Sequence, residues 1–212
     1  MGHKLKKLGV GLIAVTALSL VIGSSALAAQ FTAEKYPTTY EATGAEGSGA
    51  FVTEAGSTRC KKISASGTLS AASSTATISS TYSECTAFGF LATTVQMNGC
   101  DYLMHVTEGA GDTYKGNGDL VCPAGKEVFG IGGAEVCVIH IPPQTNSVQI
   151  EFTNDTANKR VSGKLTGSNI HYTVVKDGFG CPFSGTGTKT GAKAEQASPT
   201  VIGGKEKPAV ID

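Results

Sequence analysis

At 212 residues the chain has room for one domain, and 17 Lys and Arg balance 17 Asp and Glu to a formal net charge of +0. With no basic cluster, there is no electrostatic reason to bind nucleic acid or an anionic membrane surface. Tryptophan is absent and aromatic residues make up only 7%, so the core expected is a thin one.

The first 28 residues read as a signal peptide. His3, Lys4, Lys6 and Lys7 form a basic n-region, Leu8 to Gly23 an apolar stretch, and "SSALAA" (24–29) offers a cleavage site after Ala28. The apolar run of about 16 residues falls short of the roughly 20 that a membrane helix needs. An exported chain with no stable membrane span after cleavage is therefore expected, secreted or held at the cell surface. An uncleaved N-terminal anchor is the alternative. Cleavage would remove Lys4, Lys6 and Lys7 and no acid, leaving the protein weakly acidic.

Beyond residue 28, alternation replaces any helical period. "GAFVTEA" (49–55), "STRCKKI" (57–63), "TATISSTY" (75–82), "LATTVQM" (91–97) and "DYLMHVT" (101–107) read as strands. So do "EVFGIG" (127–132), "EVCVIHI" (135–141), "SVQIEFT" (147–153), "KRVSGKL" (159–165) and "NIHYTVV" (169–175). Turn chemistry punctuates them at Asn98-Gly99, Gly132-Gly133, "NDTAN" (154–158), "TGSN" (166–169) and "KDGFG" (176–180). The fold class predicted is all-β: an antiparallel β-sandwich, Ig-like or related, over residues 29–197, with a barrel as the alternative. An immunoglobulin domain proper packs a Trp on its disulfide, and this chain has none. "SPTVIGGKEKPAVID" (198–212) reads as a flexible tail in which "TVI" could add an edge strand.

Six cysteines in an exported chain predict three disulfides. The preferred pairing is Cys85–Cys100, Cys122–Cys137 and Cys60–Cys181. The first two pairs are equally spaced, and each second cysteine opens an apolar strand containing a histidine, "CDYLMHV" and "CVIHI". In a flat meander Cys85 and Cys100 would stand about 9.6 Å apart across an intervening strand. A disulfide spans at most about 7 Å between Cα atoms, so that pairing requires "CTAFG" (85–89) to curl back. No C-x-x-C occurs, which removes the usual spacing of redox and zinc pairs.

Candidates for chemistry are few. "EGAGDTYKGNGD" (108–119) carries Glu108, Asp112, Asn117 and Asp119 on a Gly-rich backbone. Those oxygen ligands suit Ca2+, although the EF-hand order is missing. Tyr114, within that acidic loop, is the candidate for contact with a ligand, whereas Tyr82, Tyr102 and Tyr172 lie in apolar alternation and belong to the core. Alternation also places His105 and His171 opposite their apolar neighbours, facing outward or toward a groove. No G-x-S-x-G nucleophile elbow occurs, and Asn154-Asp155-Thr156 has the form of a glycosylation sequon.

"YSECTAFGF", "NGCDYL", "VCPAGKE", "CVIHIPPQ" and "CPFSG" together resemble exported β-proteins of soil-dwelling high-GC bacteria. These share a Y-x-x-C-x-A-F-G, N-G-C-x-Y and C-P-x-G arrangement. The resemblance spans roughly residues 60–185; it implies a common cysteine framework and no particular activity. The expected function is thus a secreted, non-enzymatic module, structural or binding an extracellular ligand or surface partner, with no cofactor beyond the candidate Ca2+. The alternative is an extracellular hydrolase, metal-assisted, drawing on His105, His140, His171 and the acids of 108–119.

Overall fold

The computed structural model describes residues 29–44, 46–47, 49–133, 135–155, 157–158, 160–196, 200–203 and 209–211. The predicted signal peptide (1–28) lies outside them. Among the described residues there is no helix; the elements are strands joined by turns.

Strands β1 (Phe31–Ala33) and β15 (Ala209–Ile211) pair with each other, while thirteen further strands form one sheet. That sheet is most simply described as eight staves, each antiparallel to the next. The first stave is β2 (Thr38–Thr43) continued by β3 (Gly49–Thr53), followed by the unbroken β4 (Gly56–Leu69) and β5 (Thr75–Ala87). Next come β6 (Leu91–Gln96) with β7 (Asp101–Ala110), β8 (Thr113–Val121) with β9 (Val128–Gly132), and β10 (Cys137–Ile141) with β11 (Gln144–Asp155). The seventh is the unbroken β12 (Arg160–Asp177), and the eighth is β13 (Gly187–Gln196) with β14 (Thr200–Gly203). Each stave pairs with its successor, and the eighth returns to the first through β13–β3 and β14–β2. The all-β expectation holds in its barrel form: an up-and-down meander closed on itself, which leaves no free sheet edge.

Period-two alternation decides which way the side chains face. Along β11, Val148, Ile150, Phe152 and Asn154 are buried, while Gln149, Glu151, Thr153 and Asp155 are exposed. On β4 and β5 the outward row includes Arg59, Lys61, Ser64, Ser66, Thr77, Ser79 and Thr81. Polar-out and apolar-in is the reverse of a membrane-spanning barrel.

Three boundaries differ from the sequence reading. The segments at 159–165 and 169–175 are one strand, β12. "TGSN" between them is no turn but an irregularity in the β12–β13 ladder, with Asn169 at φ 58°. Asn98-Gly99 does make a tight turn, closed by the Cys100 N–H donating to the Met97 carbonyl at 2.8 Å. Yet β6 and β7 both run antiparallel to β5, so the turn kinks one stave and does not reverse it. Pro142-Pro143 breaks β10 from β11 in the same manner, since proline cannot donate to a central ladder. Finally, the stretch predicted as a flexible tail supplies β14, at the candidate edge strand "TVI", and β15.

β15 seals one end of the barrel. Ile211 and Phe31 are buried there in a cluster with Tyr40, Tyr114 and Phe152. Asn154 reaches up from β11 and treats Ile211 as a strand partner. Its Nδ2 donates to the Ile211 carbonyl at 2.7 Å and its Oδ1 accepts from the Ile211 N–H at 3.1 Å. The sequon asparagine is therefore a buried structural residue. Tyr40 lies across Gly67, where a Cβ would come within 2.3 Å of the Tyr40 hydroxyl oxygen. That hydroxyl donates to the Thr77 carbonyl, and burial pushes its pKa up to about 12, with the charge of Asp101 adding to the rise.

All six cysteines are paired, but as Cys60–Cys85, Cys100–Cys122 and Cys137–Cys181. Register explains each departure from the expected Cys85–Cys100, Cys122–Cys137 and Cys60–Cys181. Cys60 and Cys85 are direct partners on β4 and β5. Asp101 pairs with Val121, so Cys100 and Cys122 are the next step of the same ladder. Extending the β5–β7 register puts Cys100 level with Ser80, five residues and about 17 Å from Cys85. Cys137 pairs with Asp177, directly beneath the turn that carries Cys181 back.

Asn154→Ala would leave the Ile211 amide and carbonyl without their side-chain partner inside the core. We expect a loss of roughly 2–3 kcal/mol in denaturant unfolding, with Asn154→Asp intermediate because it keeps the acceptor. A non-reducing peptide map should return the 60–85, 100–122 and 137–181 cross-links, with no thiol open to alkylation before reduction.

Candidate functional site: the barrel interior

An eight-stranded barrel has an interior just wide enough for side chains to fill. Here a cluster of inward rings stands at each end. At the sealed base stand Phe31, Tyr40, Tyr114, Phe152 and Ile211. At the other end Tyr172, Phe183, Ile139 and Val174 form a second cluster, with Phe51 and Phe88 packed on it. Between them the inward positions include Ala65, Ser80, Ala87, Gly118, Gly130, Gly132, Gly163 and Ala194, all small, and they line a cavity of about 260 Å³. No Asp, Glu, Lys, Arg or His is among its lining residues.

Aromatic edges roof the cavity. Phe88 and Phe183 meet edge-to-face with centroids 5.7 Å apart, and Phe51 meets Tyr172 likewise at 5.9 Å. Phe88 caps the β5–β6 turn with φ 55°, while Phe183 comes from residues 178–186, the connection from β12 to β13. Cys137–Cys181 ties that connection to the start of β10. Phe90 and Phe179, on the same two turns, stand exposed at 71% and 104%. Two exposed rings thus stand beside this end of the barrel.

Tyr172 points its hydroxyl at the rim, where it donates to Glu54, and Lys189 lies 3.8 Å from the same carboxylate. Burial, followed by this carboxylate, holds the Tyr172 pKa well above the ordinary phenol range. The hydrogen bond from Tyr172 is the main reason that Glu54 sits below its ordinary 4.5.

Deeper in, Tyr82 on β5 donates to the hydroxyl of Tyr102 on β7 at 3.0 Å. Desolvation raises both phenols, Tyr82 further because Tyr102 stands beside it. Protein surrounds both rings, yet each retains intermediate accessibility, because both line the cavity. The core reading of Tyr82, Tyr102 and Tyr172 from alternation thus agrees with their inward direction.

The candidates from the sequence fall elsewhere. Residues 108–119 are not a loop but the arms of the β7–β8 hairpin, turning at Gly111-Asp112. Glu108 faces Lys115 across the outer surface at 3.5 Å. Asp119 accepts from the Asn146 N–H at 2.7 Å and lies 3.0 Å from His105 Nε2. Asn117 is level with His105, and Asp112 is at the turn. Seven residues separate Asp112 from Asp119, about 24 Å along a strand, so Glu108, Asp112, Asn117 and Asp119 do not converge on one ion. Among the described residues no group of three or more His, Cys, Asp or Glu is placed to hold a metal. Tyr114 is 8% exposed, packed in the base cluster and not displayed to a ligand.

The histidines are outside the barrel, His105 on β7 and away from His140 and His171 on the paired strands β10 and β12. His105 partners Asp119, while His140 stacks on Phe129 at 4.1 Å with its Nδ1 3.0 Å from Glu127. The third, His171, is on β12 with its backbone N–H given to Gln144. An outer hollow of about 430 Å³ is lined by His105, Asp119, Asn117, Asn146 and Thr145. It is open and polar, and both Asp119 oxygens are already engaged. The apolar cavity within the barrel is the better-formed site. No protein-family model matches the chain, and no curated protein or solved structure matches it at a significant level.

The Glu54 carboxylate, lowered in the fold, stabilises the mouth fully above pH 4.5, and that contribution is lost as pH falls through its folded pKa. Near-ultraviolet dichroism of the aromatic roof should therefore show an acid transition below pH 4.5 that Glu54→Gln removes.

Proposed function

We propose that this protein is an exported, non-enzymatic carrier that holds one small apolar molecule inside its barrel. The observation that carries this reading is the cavity of about 260 Å³ with apolar walls and no charged side chain. For scale, an apolar cavity of roughly 150 Å³ already takes up benzene. Polar outer staves suit a freely diffusing carrier, and three disulfides mark an oxidising compartment. The predicted signal peptide supports export by the same logic. Exposed Phe90 and Phe179 offer an apolar ligand a wetted foothold next to the roof.

The hydrolase reading has less support. It needs a nucleophile or an activated water among convergent acids and bases, and His105, His140 and His171 stand on separate outer staves.

The test is titration of the purified barrel with N-phenyl-1-naphthylamine, an uncharged apolar fluorophore. One site per chain is expected, with blue-shifted emission. Ala65→Leu pushes a side chain into the cavity and should weaken that binding at least tenfold while raising the melting temperature of the empty protein. Phe183→Ala should instead speed both uptake and release. Fluorophore binding that ignores Ala65→Leu would place the site outside the barrel and sink the proposal.

A further inference from the structure

The polar groups inside the cavity point to the chemistry of what it holds, granted the reading of the barrel as a carrier. Most of the lining hydroxyl and amide donors are spent within the protein. Thr53 donates to the Gly56 carbonyl, Thr93 to Leu91 and Ser147 to Gly118. Gln144 gives its amide to Pro142 and His171. Tyr82 gives its proton to Tyr102. Tyr102 accepts that bond, and its own proton meets no acceptor among the described residues.

We propose that the ligand is an uncharged apolar molecule with one oxygen acceptor, of the ketone, ester or ether class, and that Tyr102 donates to that oxygen. Three observations converge on this. The Tyr102 ring lines the cavity, so its spare donor has room to be met there. A buried hydrogen-bond donor left unmet costs stability, which a ligand acceptor would recover. A carboxylate or ammonium head would enter a chamber with no opposite charge to pair with, at a large desolvation cost. Burial also keeps both phenols protonated, so Tyr102 offers a donor and not an anion. Thr58, on the half of β4 that pairs with β3, is another lining hydroxyl with no hydrogen-bond partner among the described residues and serves as the comparison.

Competition against N-phenyl-1-naphthylamine separates this inference from the carrier reading beneath it. The competitors are 2-decanone, decanoate and decylammonium, at pH 7, on the full mature protein. The ketone is expected to displace the fluorophore at a concentration at least tenfold below either ion. Tyr102→Phe should weaken 2-decanone by about tenfold, leave the fluorophore within twofold, and leave decanoate unchanged. Thr58→Val should move none of the three. If the fluorophore binds but decanoate competes as well as the ketone, or Tyr102→Phe leaves the ketone untouched, the assignment of Tyr102 falls and the carrier stands. If the wild-type barrel takes up neither fluorophore nor ketone, the carrier reading itself falls. Should Tyr102→Phe fail to fold, the ranking of the three competitors on the wild type decides alone.

Discussion

Closure of the sheet is the constraint on which the rest depends. Once β13 pairs with β3 and β14 with β2, the radius of the barrel is fixed by eight staves and by backbone geometry, whatever the side chains inside. The volume within is then decided by what points inward. Ring clusters at the two ends, with Gly, Ala and Ser set among the aliphatic side chains and the Tyr82–Tyr102 pair between them, leave room that the sheet cannot collapse to fill. A sandwich with the same inward residues could close the gap by bringing its two layers together. A hydrogen-bonded ring cannot.

Within that ring the three disulfides have different roles. Cys60–Cys85 ties two staves already in direct register. Cys100–Cys122 spans neighbouring interruptions at 97–100 and 122–127, where the ladder is missing, and the Asn98 side chain adds a bond to the Glu127 carbonyl at 2.8 Å. Cys137–Cys181 restrains the connection that bears Phe183. The cross-links therefore sit where backbone pairing is weakest or where a roof must be held, with the first as the exception.

Much of this was legible in the sequence, and the failures have local causes. Strand after strand followed from alternation, and six cysteines behind a predicted signal peptide implied full pairing. Connectivity did not follow, because register accumulates through irregularities such as those between Val106 and Glu108 and between Gln144 and Val148, which leave no mark in a hydropathy pattern. The acidic loop at 108–119 was a misreading of a strand whose inward positions, Gly116 and Gly118, carry no side chain to announce them. A Cβ at Gly116 would meet the Phe152 ring at 2.8 Å, so the apolar partner of that position lies on another stave. Small residues at every second place, as in "KGNGD" and "FGIGG", were the available sign of a hollow barrel. The hydroxyl of Tyr102 had no sign at all, since which donors remain unspent depends on contacts between distant strands.

The seal at the base has a consequence for the order of assembly. Eight staves and the roof are complete by β14, but the floor waits for Ile211 to reach Asn154, 57 residues earlier in the chain. Until those residues are delivered, the barrel is a tube with a lower door ajar. A chain cut short before Ile211 would therefore keep all eight staves and lose only its stopper.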